Sequence, residues 1–414
     1  MMQKSAKEIT WSLLSKGTTM ILFILINLYL ARKLSLEEYG LWSYFFSIIT
    51  IISLISYFGI NASAKKYAAQ NDQTDSLRPV IKSSIKLRFY FSLAFSILLL
   101  LSYKSLASLL NKPEFEKLFL LSIPLIFLSS FVEFYKEMFS ALQKLKYNFI
   151  VNFLEYSLKF LLVLIFFTFS INVFYIINAY LISVLITGLV GSYLLYFNFY
   201  RKYKRSKEKY SKQILKYSLP LFFSTLGFVM ATEIDTFMLG LLVGESEVAI
   251  YAVSKQIITK LPHISLAIAL AVMPLFSKIN KDNKEKLKKS FYNLMKINCV
   301  IFIPIIVIIL LFSGYFIPLI YGYKYSNAVI PLKILTVYLF LFTNSIFLNS
   351  FLDYNGLAKK RAINILILIV VNIILNLILI PKYGAIGAAI ATSISYAPSV
   401  LLSWFEVKKF ISNL

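Results

Sequence analysis

Twelve stretches of mostly apolar residues follow one another along this 414-residue chain. Each is near or above the ~20 residues an α-helix needs to cross the hydrocarbon core of a bilayer. They fall at residues 9–31, 41–61, 87–110, 118–140, 148–170, 173–198, 214–241, 249–276, 292–312, 327–350, 362–380 and 384–407. The composition agrees: 59% of residues are hydrophobic and only 15% charged, whereas a soluble domain sits near half apolar and about a quarter charged. The start, "MMQKSAKEITWSLLSKG", carries charges but no short apolar core ending in a small-residue cleavage site, so the first helix is expected to be retained. The single cysteine, Cys299, excludes an internal disulfide and any cysteine metal cluster.

A net charge of +24 would suit nucleic acid if it clustered on one soluble face. It lies instead in short blocks between the apolar segments, so topology is the better account and no nucleic-acid partner is expected. With the N-terminus inside, the inner segments hold 30 of the 43 Lys and Arg and the outer loops 7. That bias predicts both termini on the cytoplasmic side. Trp11 and Trp404 fall near cytoplasmic helix ends and Trp42 near an outer end, where indoles favour the interface. The longest outer loop, around 102–117, is too small for a soluble active site. The chemistry is therefore expected in the membrane or at its surfaces, and no enzyme activity is expected.

The longest basic loop, "YRKYKRSKEKYSKQILK" (200–216), lies at the midpoint. It suits contact with anionic lipid, and it divides the chain into bundles at 1–198 and 214–414 joined by a linker at 199–213. A faint repeat supports the division. "LSLEEYGLWS" (34–43) and "VGESEVAIYA" (243–252) each follow the first helix of a half, placing Glu38 on Glu247, Gly40 on Ala249 and Trp42 on Tyr251. Glu37 and Glu38 read as a helix start. Six helices per half is an even number, so the halves are parallel repeats. The expected fold is all-α and integral to the membrane, with about twelve transmembrane helices in two parallel six-helix bundles around a central cavity, an arrangement transporters often use.

Apart from residues near the helix ends that are counted with the flanking loops, Arg88 and Lys136 among them, eleven ionisable residues fall inside these helices: Lys16, Glu133, Glu155, Lys159, Glu233, Asp235, Lys255, Lys260, His263, Lys296 and Lys333. Each would cost about 2.5–3.5 kcal/mol facing lipid at the bilayer centre. Lys296 and Lys333 can snorkel to an interface; the central ones should face protein or water. Asn148, Asn152, Glu155 and Lys159 share one helix face, as do Lys16, Thr19, Phe23 and Asn27, and Tyr251, Lys255, Thr259 and Pro262. Such stripes fit a hydrated cavity, or they fit helix–helix association, in which Glu155 and Lys159 simply neutralise each other. Lys255 has no acid within a turn on its own helix, which favours the cavity. Glu233 and Asp235 stand about 200° apart around their helix and cannot both face one cavity. Asp235 is the expected cavity-facing acid, able to carry a proton or a cation, and Glu233 is expected to pair within its own half. His263, beside Pro262, suits a packing role better than a proton relay.

Several stretches resemble the bacterial oligosaccharide flippases, the polysaccharide-biosynthesis export family of the multidrug/oligosaccharidyl-lipid/polysaccharide exporter superfamily. They are "ARKLSLEEYGLWSY" (31–44), "IDTFMLGLLVGESEVAIYAVSKQI" (234–257), "VMPLFSKI" (272–279) and "NIILNLILIPKYGAIGAAIAT" (372–392). They run in family order along nearly the whole chain. The resemblance implies a pair of six-helix bundles around a cationic cavity in the bacterial cytoplasmic membrane, moving an isoprenoid diphosphate-linked oligosaccharide, such as an O-antigen or capsule repeat unit, from the inner to the outer leaflet. It implies Asp235 and Lys255 as the acid of helix seven and the base of helix eight, and Lys16 at a position basic in related peptidoglycan-precursor flippases. Those relatives also carry a basic residue in the middle of helix two, which this chain lacks, favouring the oligosaccharide substrate.

The chemistry fits independently, since a diphosphate diester carries about two negative charges that lysines in a low-dielectric passage would hold. Lys16, Lys159, Lys255 and Lys260 are therefore the expected substrate-binding cations. Asp235, Glu155 and Glu133 are the candidate acids for coupling to H+ or Na+, with no other cofactor and no metal centre. The expected partners are the lipid-linked oligosaccharide, membrane lipids, and a polysaccharide polymerase and glycosyltransferases acting on the same glycan. The alternative is an ion-coupled drug exporter of the same superfamily. Such a cavity should be acidic, but the buried lysines outnumber the acids six to four.

Overall fold

A computed structural model describes residues 2–204, 208–276 and 284–412. Part of the basic linker (205–207) and the end of the 272–279 stretch lie outside the described residues. Among the described residues the secondary structure is helical, without strands. The helices are α1 (Met2–Lys33), α2 (Leu36–Tyr57), α3 (Ile60–Gln70), α4 (Leu77–Leu109), α5 (Phe115–Ala141), α6 (Leu145–Phe166), α7 (Val173–Asn198), α8 (Ser211–Leu242), α9 (Glu245–Lys260), α10 (His263–Phe276), α11 (Lys284–Tyr321), α12 (Val329–Tyr354) and α13 (Ala358–Ser412).

Ten helical segments are individually long and apolar enough to cross a membrane. Two local breaks reconcile them with the twelve expected spans. Leu261 and Pro262 separate α9 from α10, because proline supplies no backbone N–H to continue the ladder. The 55-residue α13, long enough for two crossings, is broken at Gly384, whose φ of 54° lies in the left-handed region. There the Ala385 N–H donates to the Glu247 carboxylate at 2.6 Å, satisfying a donor the break leaves open.

Loop lengths differ from the sequence reading where helices overrun their apolar cores. α4 runs to Leu109, so the expected outer loop at 102–117 shrinks to residues 110–114. Asn111 at φ 53° and Pro113 stop the helix there. At its other end α4 begins at Leu77, about ten residues before the expected start, and α3 occupies part of what reads as a basic loop. The Glu37–Glu38 pair is a helix start, as expected. The Glu38 N–H donates to Ser35 Oγ at 3.1 Å and the Ser35 N–H to Glu38 Oε2 at 3.2 Å, a reciprocal capping box.

The chain folds into two compact units, one of residues 1–34 and 48–229, the other of 35–47 and 230–414. Relative to a division at the basic loop, the start of α2 packs with the second unit and the first half of α8 with the first. Ser63 Oγ on α3 donates to the Ile214 carbonyl at 2.8 Å, tying the beginning of α8 into the first unit. That unit's core joins α3 to α7 through Ala64, Val80, Val132, Phe139, Val151 and Val184. The core of the second joins α10 to α13 through Ala269, Phe291, Phe347, Phe351 and Val407.

The two repeat-related helix starts meet inside the second unit, where a Cβ added to Gly40 would stand 1.8 Å from the Glu245 carbonyl oxygen. Gly40→Ala is therefore expected to destabilise the protein by about 1–3 kcal/mol through overpacking against backbone. A thermal-melt midpoint in detergent equal to that of wild type would refute the close packing. Trp42, near the start of α2, is only 4% exposed and packs on Phe46, with ring centroids 5.3 Å apart. Large aliphatic and aromatic side chains such as Leu101, Phe169, Leu189 and Leu311 remain exposed along the spans, the surface a lipid-embedded protein presents.

Candidate substrate and coupling sites

In the first unit the polar stripe of α6 divides into two functions. Its Asn148 and Asn152 join α6 to α1 and α5. Asn152 Nδ2 donates to Ser15 Oγ at 3.1 Å, and Asn148 Nδ2 donates to the Lys136 carbonyl at 2.8 Å. Its Glu155 lies between two ammoniums. Lys136 Nζ on α5 stands 2.6 Å from Glu155 Oε2, and Lys159 Nζ bonds Glu155 Oε1 one turn along α6. Lys136 also bonds Glu133 Oε1 at 2.7 Å. Lys159 is further covered by the rings of Tyr156 and Tyr180, at 5.0 and 4.8 Å. Lys159, an expected substrate-binding cation, thus shares the single Glu155 carboxylate with Lys136. Of the two acids expected to couple ions here, Glu155 is buried between the lysines and Glu133 is partly exposed.

Two cations in this unit escaped the sequence reading. Lys136 and Arg88 were counted with the inner basic segments, yet both are buried inside helices. The Arg88 Nε donates to the Ser130 carbonyl at 3.2 Å and its Nη1 to the Tyr57 carbonyl, the last of α2, at 2.9 Å. Its guanidinium also lies 4.4 Å from the Tyr57 ring. The available signal was Ser84, Arg88 and Ser92 at steps of four, a small-residue face that continues α4 well before its apolar core. Lys16 is exposed on α1 and meets no described partner.

The second unit holds two distinct arrangements on the two sides of α8. Asp235 is 1% exposed. Its carboxylate accepts hydrogen bonds from Tyr251 OH at 2.9 Å, Thr392 Oγ1 at 2.6 Å and Asn376 Nδ2 at 2.7 Å. Asn372 extends the set by accepting from Asn376 Nδ2 at 3.0 Å. All of these donors are neutral, and the Asn376 Oδ1 nearby is buried without a hydrogen-bond partner. A buried charge is costly unless it is paired or hydrogen-bonded, and this oxygen-rich cluster from α8, α9 and α13 gives the carboxylate three neutral donors in place of a counter-ion.

Glu233 points the other way. Lys255 Nζ on α9 stands 3.5 Å from Glu233 Oε2 and donates to Thr236 Oγ1 at 3.0 Å, with the two charged side chains 17% and 24% exposed. The exposure expected of Asp235 thus belongs to Glu233, although Glu233 does pair within its own half as expected. The 200° between them decides the matter, since α9 and α13 close over the Asp235 side. Lys260 is half-buried on α9, and His263 is exposed at the start of α10. Lys296 and Lys333 are exposed. Among the described residues no His, Cys, Asp and Glu group could hold a metal ion.

The family described as polysaccharide biosynthesis protein matches residues 5–280, and the one described as MatE matches 220–378. A probable low-salt glycan biosynthesis flippase of Haloferax volcanii is 25% identical over 213 residues, covering 50% of this chain and 44% of that protein. A putative O-antigen transporter of Shigella flexneri is 31% identical over 176 residues, 42% of each chain. The chain thus spans less than half the length of these two curated relatives. Among solved structures, a lipid II flippase in an inward closed conformation aligns with a TM-score of 0.79 at 20% identity, over 97% of this chain and 87% of that one. An inward-facing multidrug-resistance transporter of the MATE family aligns at 0.75 and 18%, over 97% and 98%. The two transporters share the fold, and the family match over residues 5–280, two thirds of the chain, places this multi-pass membrane protein in the polysaccharide biosynthesis protein family.

Proposed function

We propose that the protein is a flippase that carries an isoprenoid diphosphate-linked oligosaccharide from the inner to the outer leaflet of the bacterial cytoplasmic membrane by alternating access, with both termini cytoplasmic. The observation that carries this reading is Lys255. It is a partly exposed ammonium on a helix expected to span the bilayer; among the described residues its one close carboxylate, Glu233, is a loose 3.5 Å away, with Lys260 further along the same helix. Two lysines against Glu233 leave a net positive charge where a diphosphate needs neutralising, with Lys16 a further exposed cation on α1. Lys136, Lys159 and Arg88, set against Glu133 and Glu155, hold the first unit's interior positive as well.

Asp235 supplies the coupling. Its buried carboxylate takes up H+ or Na+ from one side of the membrane and releases it to the other as the transporter cycles. A polymerase and glycosyltransferases acting on the same glycan are the expected neighbours in the pathway. The second reading, an ion-coupled exporter of small molecules, draws on the MatE match over residues 220–378, which contains Asp235. An exporter of cationic drugs would place a surplus of acid beside Lys255, the reverse of what is found.

The test is complementation of a strain lacking its own glycan flippase. A charge-assisted hydrogen bond to phosphate is worth about 1.5–3 kcal/mol. Lys255→Ala is therefore expected to lower surface glycan about tenfold or more at equal membrane abundance, with Lys255→Arg retaining most of it. Wild-type glycan from the alanine variant would overturn the assignment of Lys255. Drug resistance conferred without any glycan export would favour the exporter.

A further inference from the structure

A pocket of about 380 Å³ opens on the first unit between α4 and the short turn Tyr200–Lys202, lined by Lys82, Ile85, Lys86, Phe89, Tyr90 and Tyr200. It lies apart from every charged cluster described above. Among the described residues neither lysine meets a carboxylate, and no acid lines the pocket. Lys86 Nζ stands 5.8 Å from the Tyr90 ring. The wall that carries Tyr200 is fastened to α4, since the Arg78 guanidinium lies 4.6 Å from the Tyr200 ring and its Nη1 donates to the Tyr203 carbonyl at 2.8 Å.

The pocket heads a stripe that changes chemistry in a fixed order. Lys82, Lys86, Phe89, Leu93, Ile97 and Leu101 step by 4, 3, 4, 4 and 4 along a single face of α4, and all six are exposed. Two ammoniums come first, then an aromatic ring, then aliphatic side chains. The rise from Lys86 to Ile97 is roughly 16 Å, about half the thickness of the hydrocarbon core. That order and that length are those of a lipid molecule: an anionic headgroup, the interface where aromatic rings collect, and one leaflet of acyl chain.

We propose that this pocket binds the phosphate of an anionic glycerophospholipid, bridged by the Lys82 and Lys86 ammoniums beside Tyr200, with an acyl chain along Leu93, Ile97 and Leu101. Consecutive lysines one helical turn apart are neighbours on the helix surface, close enough to share one phosphodiester. The site lies on the same side as the basic linker that begins at residue 199, whose lysines add to the attraction for an anionic leaflet.

The experiment measures the thermal midpoint of the delipidated full-length chain in detergent during titration with phosphatidylglycerol, phosphatidylcholine, inorganic phosphate or an isoprenoid diphosphate. Phosphatidylglycerol is expected to raise the midpoint, and phosphatidylcholine and phosphate are not. In Lys82→Ala/Lys86→Ala the apparent affinity for phosphatidylglycerol should fall about ten- to thirtyfold, whereas Lys82→Arg/Lys86→Arg should keep it. The lipid-free midpoint of the alanine variant, expected to match wild type because both side chains are exposed, checks its folding. Three outcomes overturn the proposal: an unchanged response in the alanine variant, an equal shift from inorganic phosphate, which would make this a simple anion site, or tighter binding of the isoprenoid diphosphate, which would assign the pocket to the transported lipid.

Discussion

Asp235→Asn is expected to abolish ion-coupled transport, lowering glycan flipping at least about a hundredfold while the protein still inserts and folds. Asparagine keeps the size of the side chain and one of its two acceptor oxygens. Three neutral donors surround the position, from Tyr251, Thr392 and Asn376. The hydroxyls of Tyr251 and Thr392 can turn toward each other, being 3.0 Å apart, so the amide is accommodated at about 1–3 kcal/mol for the hydrogen bond it displaces. What the substitution removes outright is the charge. Without it nothing in this buried cluster takes up or releases a proton or cation. The check is flipping in proteoliposomes with and without an imposed H+ or Na+ gradient. Gradient-dependent transport surviving in the asparagine variant would remove Asp235 from the coupling.

The second large effect is on stability. Glu155→Met should destabilise the protein by about 3–5 kcal/mol, the cost of leaving a buried charge without its partner. Two ammoniums lose their counter-charge at once: Lys136, 2.6 Å away, and Lys159 on the same helix. The partners are not equally exposed to the loss, because Lys136 retains Glu133 at 2.7 Å. Among the described residues Lys159 retains the faces of Tyr156 and Tyr180. Adding Lys159→Met to Glu155→Met should therefore recover about half or more of the loss, since two apolar side chains of similar volume replace the pair. Denaturation midpoints of the wild type, both single variants and the double variant give the coupling directly. A double variant no more stable than Glu155→Met alone would mean the two residues act independently.

Helix content was legible wherever an apolar run and a local stop signal coincided. Ser35 and Glu38 mark the start of α2 by chemistry confined to four residues, and Pro262 and Gly384 mark breaks that no neighbouring helix is needed to explain. α4 was misread at both ends because a helix continues past its hydrocarbon-like core as long as caps and neighbours permit. Leu77 to Arg88 is too polar to register as a span, and its buried face is satisfied by Ser84, Ser92, Ser130 and the Tyr57 carbonyl. Arg88 falls in the first turn of the expected span 87–110 and Lys136 in the last turns of 118–140, positions where a charge reads as interfacial and not as buried.

The sequence alone determined the membrane character, the number and order of the crossings, the helix starts and breaks, the family, and which titratable residues must find partners inside the bilayer. These follow from local quantities: the length of an apolar run, a capping pair, a proline, the cost of a charge in hydrocarbon. Only the tertiary structure decided how those charges are disposed. Periodicity puts Glu155 and Lys159 on one face, but it does not bring Lys136 to that face. It separates Glu233 from Asp235, but it does not say that Thr392, 157 residues away, encloses Asp235 and leaves Glu233 beside Lys255. An ion pair or a hydrogen bond is made or lost within an ångström, and that distance is set by which helix faces meet, a property of the packed bundle and not of any single helix.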